Sequence, residues 1–264
     1  MKMIAVALLM SLAPAPAAPE HVALGDSYAA GLGAGGESSN SCRRSSAAHP
    51  ARWAERNDAS FVFAACAGAT TADVERQSTR ITPATTLVTL TVGGNDAGFA
   101  DVMTTCTIGE DESCVERVER AEAFVRDELP GRLDALYGLV RERTPEQARV
   151  VVLGYPRLFG GGRSLCLMSE PKRDALDRAV DVMSEVIAAR AEAAGFTYAD
   201  VRDEFDGHGV CSGDPWINGL MLLPHDRSYH PSGKGQESGY LPALAEAVAA
   251  AGADAEVAAG GRVG

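Results

Sequence analysis

The sequence predicts an α/β domain, a parallel sheet with helices packed on both faces. Three observations carry that prediction. Short runs rich in Val, Leu and Phe recur without clear alternation, as strands covered on both sides require. Stretches of helical periodicity lie between them. No internal repeat and no linker divides the 264 residues, so a single core serves the chain.

The first strand is expected at His21–Leu24, the second at Phe61–Ala64 and the third at Leu87–Val92. A helical stretch from about Val115 to Arg143 follows, broken near Pro130-Gly131 and ended by Thr144-Pro145. Arg149–Leu153 reads as the fourth strand. Ser169 to Ala194 is the clearest helix, with Leu176, Val180, Met183 and Ile187 on one stripe and Gly195 as its stop. Phe196–Asp200 is the fifth strand, and a last helix over Tyr240 to Ala251 precedes a Gly-rich tail. Sites in such sheets form beyond the carboxyl ends of the strands, so the residues just after each strand decide the function.

Ahead of the first strand, Lys2, the apolar run "MIAVALLMSLA" and the small residues of "APAPAA" have the order of an export signal. Pro14 and Pro16 end the run short of the ~18 apolar residues of a membrane span. The expected division is a signal peptide at 1–18 and one domain at 19–264, with a flexible tail at 253–264. Six cysteines and no C-x-x-C pair agree with an oxidising compartment and argue against zinc or thioredoxin-like chemistry. They permit about 15 pairings, among which spacing does not choose. A net charge of -12 repels phosphate backbones and anionic headgroups, which disfavours nucleic acid as a partner.

Two motifs compete in "LGDSYAAGLGAGG" at 24–36. Gly31, Gly33 and Gly36 fit a dinucleotide-binding turn, and Gly25-Asp26-Ser27 fits a nucleophilic serine at a strand tip. A dinucleotide turn needs its first glycine at the strand end, yet six residues separate Leu24 from Gly31. It also needs an acid after the second strand, where "FVFAACAGAT" has none. The serine reading is supported at other strand ends: Gly68 in "CAGAT", Asn95 in "GGNDAGF" and His230 in "SYHPSGKGQ". A nucleophile, a backbone amide beside a small residue, a side-chain amide and an imidazole are the parts of acyl transfer.

These four blocks resemble those of the SGNH hydrolases, also called GDSL esterases and lipases, and are most similar to the secreted three-disulfide members from Gram-positive bacteria. The resemblance covers nearly the whole chain after the export segment. It implies a three-layer α/β/α fold on a five-stranded, flavodoxin-like parallel sheet. It implies Ser27 as nucleophile, His230 as general base and acid, and an oxyanion hole from the N–H groups of Ser27 and Gly68 and the amide of Asn95. Sequential pairing in the relatives implies disulfides Cys42–Cys66, Cys106–Cys114 and Cys166–Cys211. The implied activity is carboxylic ester hydrolysis on a small-molecule or lipid substrate by a secreted monomer with at most transient lipid contact. Neither cofactor nor metal is required, and His21, His49 and His208 have no metal-site spacing.

One position departs from the family pattern. Members commonly place an Asp three residues before the catalytic histidine, and here that residue is Arg227. A cation cannot accept the Nδ1–H bond, so the main-chain carbonyl of Arg227 is expected to orient His230, with Asp226 as the alternative acceptor. Asp26 and Asp96 are expected to hold their turns through backbone amides. His225 is a rival base without a flanking block. Trp216 is either core or part of an acyl groove, and the segment from Val102 to Pro130 is either a lid or a disulfide-tied helical insertion. Activity is expected to rise with pH around an ordinary histidine pKa of about 6.5, within about a unit. The alternative substrate class is an O-acetylated carbohydrate, bound in a polar groove by the same four residues.

Overall fold

The computed structural model describes residues 19–160 and 166–260, the side chains of 253–260 excepted. The expected export segment and the end of the expected tail lie outside the described residues. Five parallel strands form one sheet in the order β2-β1-β3-β4-β5. They are β1 (Glu20–Gly25), β2 (Ser60–Phe63), β3 (Thr85–Thr91), β4 (Arg149–Leu153) and β5 (Thr197–Ala199). Val22 lies between Val62 and Val88 in register, and Val88 is opposite Val150. Val22, Leu24, Val88, Leu90 and the run Val151–Leu153 are buried to exclusion of solvent. Each such side chain contributes roughly 1.5–3 kcal/mol of burial.

Helices α2 (His49–Arg56) and α8 (Leu241–Gly260) pack together against β2, β4 and β5. On the opposite face lie α3 (Thr71–Gln77), α6 (Leu129–Arg143) and α7 (Glu170–Ala193), the arrangement that right-handed crossovers impose. The layers are therefore α/β/α. A single turn, α1 (Ser27–Ala30), follows β1, and α4 (Phe99–Ile108) and α5 (Asp111–Asp127) stack outside α7. Pro130 does not interrupt a continuous helix. It stands in the first turn of α6, where its missing N–H costs nothing, and α5 has already ended at Asp127. The last helix runs to Gly260, beyond the expected end at Ala251, and begins from a π-helical turn at Gly235–Tyr240.

Cys42–Cys66, Cys106–Cys114 and Cys166–Cys211 are bonded, as the resemblance implies. The second bridge ties α4 to α5. Val102, Met103, Cys106, Cys114, Val118 and Val125 are all buried, so this segment is a packed wall of the domain.

Candidate active site

Ser27 opens α1 directly after β1, at the carboxyl edge of the sheet. Gly25 makes the sharp exit possible. Its φ is 121°, and a Cβ there would lie 2.4 Å from the Thr91 carbonyl oxygen. Gln77 clasps the same residue, accepting its N–H at 2.7 Å and donating to its carbonyl at 3.0 Å. Asp26 caps the turn by accepting the Tyr28 N–H at 2.9 Å.

His230 comes from the long loop after β5 and completes the pair. Its Nε2 lies 2.8 Å from the Ser27 Oγ, and its Nδ1 lies 2.9 Å from the carbonyl oxygen of Ser228. A carbonyl only accepts, so Nδ1 carries the proton and Nε2 accepts from the serine hydroxyl. The expectation that Arg227 supplies this carbonyl is corrected by one residue. Ser228 at φ -56° and ψ 137° and Tyr229 at φ 61° form a type II turn, closed by the His230 N–H on the Arg227 carbonyl at 3.3 Å. The turn takes up the Arg227 carbonyl and leaves that of Ser228 facing the ring. Asp226 does not touch the imidazole; its carboxylate pairs with the Arg43 guanidinium at 2.6 Å.

Burial pushes the His230 pKa down to about 4, against the upward pull of the Ser228 carbonyl and the nearby Asp226 charge. The expected rise of activity near pH 6.5 is displaced accordingly. The imidazole is neutral, and hence able to accept a proton, through the whole neutral range.

Ser27, Gly68, Asn95 and His230 line one open cavity of about 720 Å³. Among the described residues no protein acceptor takes the Ser27 or the Gly68 N–H. Gly68 holds φ at 80° with open space where a Cβ would stand, so its amide can meet a substrate closely. Asn95 donates one amide hydrogen to the Ala69 carbonyl at 3.0 Å, which aims the group and leaves the other free. Asp96 accepts the Thr71 N–H at 3.0 Å and its hydroxyl at 2.7 Å, so it serves the turn as its sequence context suggests. The first disulfide sits two residues before Gly68, and Ala67 donates to the Cys42 carbonyl at 3.1 Å.

Sequence reasoning missed Tyr155. It stands two residues after β4 and is buried. Its hydroxyl donates to the Asp26 carboxylate at 2.5 Å and accepts the Gly94 N–H at 3.1 Å, joining the turn that bears Ser27 to the turn that bears Asn95. Asp26, enclosed beneath it, has its pKa raised by burial to about 7. Tyr28 extends the brace, donating to the Tyr229 carbonyl at 2.8 Å beside His230. The signal was available: strand-end position, the rule that found the other residues.

A second, apolar pouch of about 80 Å³ opens beside Ser27. Val102 and Met103 of α4, Leu176, Val180 and Met183 of α7, and Tyr155 line it. The apolar stripe of that helix thus gives Leu176, Val180 and Met183 to a cavity, while Ile187 stays in the core. Helix α4 is the shared wall, since Phe99 and Met103 face both spaces. Trp216 lines neither; it stacks on His208 with ring centres 3.7 Å apart. His225 lies at the cavity rim and makes no contact with Ser27. Among the described residues no cluster of three or more His, Cys, Asp or Glu side chains could hold a metal ion.

A serine hydroxyl hydrogen-bonded to a neutral imidazole, beside free amide donors at the edge of a parallel sheet, defines the serine ester hydrolase class. The chain belongs to the GDSL-like Lipase/Acylhydrolase family, whose model matches residues 23–237. It is a carboxylic ester hydrolase of the lipase and esterase type. It is 48% identical to Lipase 1 of Streptomyces coelicolor over 232 residues, 86% of each chain. The crystal structure of phospholipase A1 from Streptomyces albidoflavus NA297 superposes with a TM-score of 0.84 at 47% identity, covering 87% of this chain and 99% of that one. That of an extracellular lipase from Streptomyces rimosus does so with a TM-score of 0.84 at 46% identity, covering 87% and 100%.

Proposed function

We propose that the protein cleaves lipid esters through an acyl-enzyme on Ser27. The Ser27 Oγ attacks the ester carbonyl carbon while His230 Nε2 takes its proton. The N–H groups of Ser27 and Gly68 and the free amide hydrogen of Asn95 hold the oxyanion. His230 then passes its proton to the departing alkoxide, and water repeats the sequence with His230 again as base. The Ser228 carbonyl keeps the proton on Nδ1 throughout, so the site works as a dyad.

The observation that carries this reading is the 2.8 Å contact between Ser27 and His230 at the junction of the open cavity and the apolar pouch. The pouch supports an acyl chain longer than acetyl, where an O-acetylated carbohydrate would call for polar walls. Secretion is the second part of the proposal. The N-terminal export pattern, three disulfides and an extracellular relative support it, and among the described residues no helix is long and apolar enough to cross a membrane. The proposed enzyme is a monomer that meets lipid transiently and does not bind nucleic acid.

Initial rates on p-nitrophenyl esters from acetyl to palmitoyl, with Ser27→Ala in parallel, test the proposal. Ser27-dependent turnover that favours longer chains is expected. Turnover confined to the acetyl ester would replace it with the deacetylase.

A further inference from the structure

We infer that Glu37 and Arg227 are a positioning pair for the general base, and that the glycine-rich turn at 31–37 is built to hold that pair against the loop bearing His230. The inference rests on the ester hydrolase reading above and adds to it two residues that act through His230 without touching the substrate.

The glycine-rich turn begins where the turn of the nucleophile ends. Gly31 caps α1 with φ at 79°, its N–H on the Ser27 carbonyl at 3.0 Å. The chain then folds back to Glu37, whose side chain is shut off from solvent. Oε1 of Glu37 accepts the Gly33 N–H at 2.9 Å and the Gly35 N–H at 3.3 Å. Oε2 accepts from the Arg227 guanidinium at 2.5 Å. Among the described residues Glu37 is the one acceptor of that guanidinium, whose Nε is buried without a partner. A carboxylate out of water is costly unless its lone pairs are filled, and two backbone amides and a cation fill them here.

Arg227 sits in the turn that sets the base. Its carbonyl accepts the His230 N–H, and the same turn points the Ser228 carbonyl at Nδ1. The Tyr28 hydroxyl holds this loop at Tyr229, and Glu37 holds it again two residues earlier, which stops the turn from rolling about the first bond. Gly33 meets the loop from the other side. Its carbonyl accepts from Nδ2 of Asn218 at 3.0 Å, and Asn218 donates its N–H and Nδ2 to the His230 carbonyl at 2.9 and 3.0 Å. The approach is close: with φ at 90°, a Cβ on Gly33 would lie 3.0 Å from the His230 Cβ and 2.7 Å from the Asn218 Nδ2.

Ser27 and His230 are 203 positions apart in sequence, so their 2.8 Å contact depends on whatever ties the two turns together. Glu37 does so with a single side chain, bonded to the segment that leaves Ser27 and to the turn that precedes His230. A misplacement of about 1 Å between reacting groups costs on the order of 10²-fold in rate. The residue that stands where family members commonly carry an Asp thus serves the base by anchoring its turn.

The test is kinetic, on p-nitrophenyl butyrate, with Tm measured on each preparation and rates taken well below it. Glu37→Gln keeps an acceptor for the glycine amides and loses the ion pair. It is expected to lower kcat by about tenfold or more while KM stays within about twofold. Phosphonylation of Ser27 by an alkyl fluorophosphonate should slow in step, because it draws on the same proton transfer to His230 without ester binding. Arg227→Met, at a side chain that is partly exposed, should give the same loss even where Glu37→Gln fails to fold. The double variant should lose no more than either single one. Arg202→Gln, which breaks the pairing with Asp181 and Asp200 beyond the edge strand β5, is the control, and its kcat should be unchanged whatever its Tm. A kcat within about twofold of wild type in folded Glu37→Gln or Arg227→Met would overturn the inference, as would additive losses in the double variant or a rise in KM at constant kcat. Absence of Ser27-dependent turnover in the wild type would instead sink the hydrolase reading.

Discussion

The Ser228 carbonyl accepts the Nδ1–H of His230 at 2.9 Å, in the place where a triad would put a carboxylate. A neutral dipole fixes the tautomer as a carboxylate does, but it stabilises the imidazolium less. Asp226, the nearest candidate acid, contributes only through its field, because its own bond goes to Arg43.

Asp226→Asn is therefore expected to lower kcat on p-nitrophenyl butyrate by a few-fold, far from the ~10⁴ that follows loss of a triad carboxylate. Removing the negative charge also makes His230 a weaker base, so the acid limb of the kcat/KM profile should move to lower pH. Steady-state kinetics across pH check both effects.

Asn95→Ala removes one of three proposed oxyanion donors. A fall of about 10²–10³ in kcat with little change in KM is expected, since the bond forms only as charge develops on the oxygen. A tenfold rise in KM at constant kcat would reassign Asn95 to ground-state binding.

Tyr155→Phe deletes the hydroxyl that links Asp26 to Gly94. Buried Asp26 and half-buried Gly94 each lose a partner, at a cost of about 1–3 kcal/mol for the buried carboxyl, so Tm should fall. Because the link spans the Ser27 and Asn95 turns, kcat should fall with it while KM holds. Thermal melting and kinetics on the same preparation separate the two effects. An unchanged kcat in a less stable protein would confine Tyr155 to a structural role.

Two pH dependences follow from burial. With His230 pushed down to about 4, kcat/KM should stay level from pH 6 to 8 and decline only toward pH 4; an inflection at or above 6.5 would contradict the buried base. Stability depends on the sum of several groups. His21 and His49, like His230, are kept neutral in the fold, at about 3 and about 4, so below their unfolded pKa of about 6.5 the unfolded chain binds more protons and acid destabilises. Asp26 and Asp177, raised to about 7 and about 6, and Glu204, also raised by burial, act in the opposite sense, since the fold retains protons the unfolded chain releases. The three imidazoles, displaced furthest, outweigh these carboxyls, and Tm should decline as pH falls from 6.5 to 5, which scanning calorimetry measures directly.

The sheet was legible because each strand is a short apolar run and the site residues follow strands in chain order. Strand edges came within a residue or two of the expected ones. Helices α2 and α3 escaped notice, being too short to repeat a stripe convincingly. The acceptor for His230 was misplaced by one residue because a sequence offset does not say which carbonyl faces a ring; the left-handed Tyr229 decides that. The pouch was invisible for a different reason. Its walls come from α4, α7 and the end of β4, and an apolar residue lining a cavity has the same sequence signature as one filling a core. Of the two readings of Trp216, core or acyl groove, the packing supports the first, since it stacks on His208 and abuts buried Phe205.

Covalent trapping addresses the central claim most directly. The protein would be incubated with an alkyl fluorophosphonate, and the adduct located by peptide mass spectrometry in the wild type and in Ser27→Ala. A single adduct on Ser27, formed in parallel with loss of esterase activity and absent from the variant, is the predicted result. Complete inactivation with the adduct on another residue, or esterase activity persisting in Ser27→Ala, would contradict it.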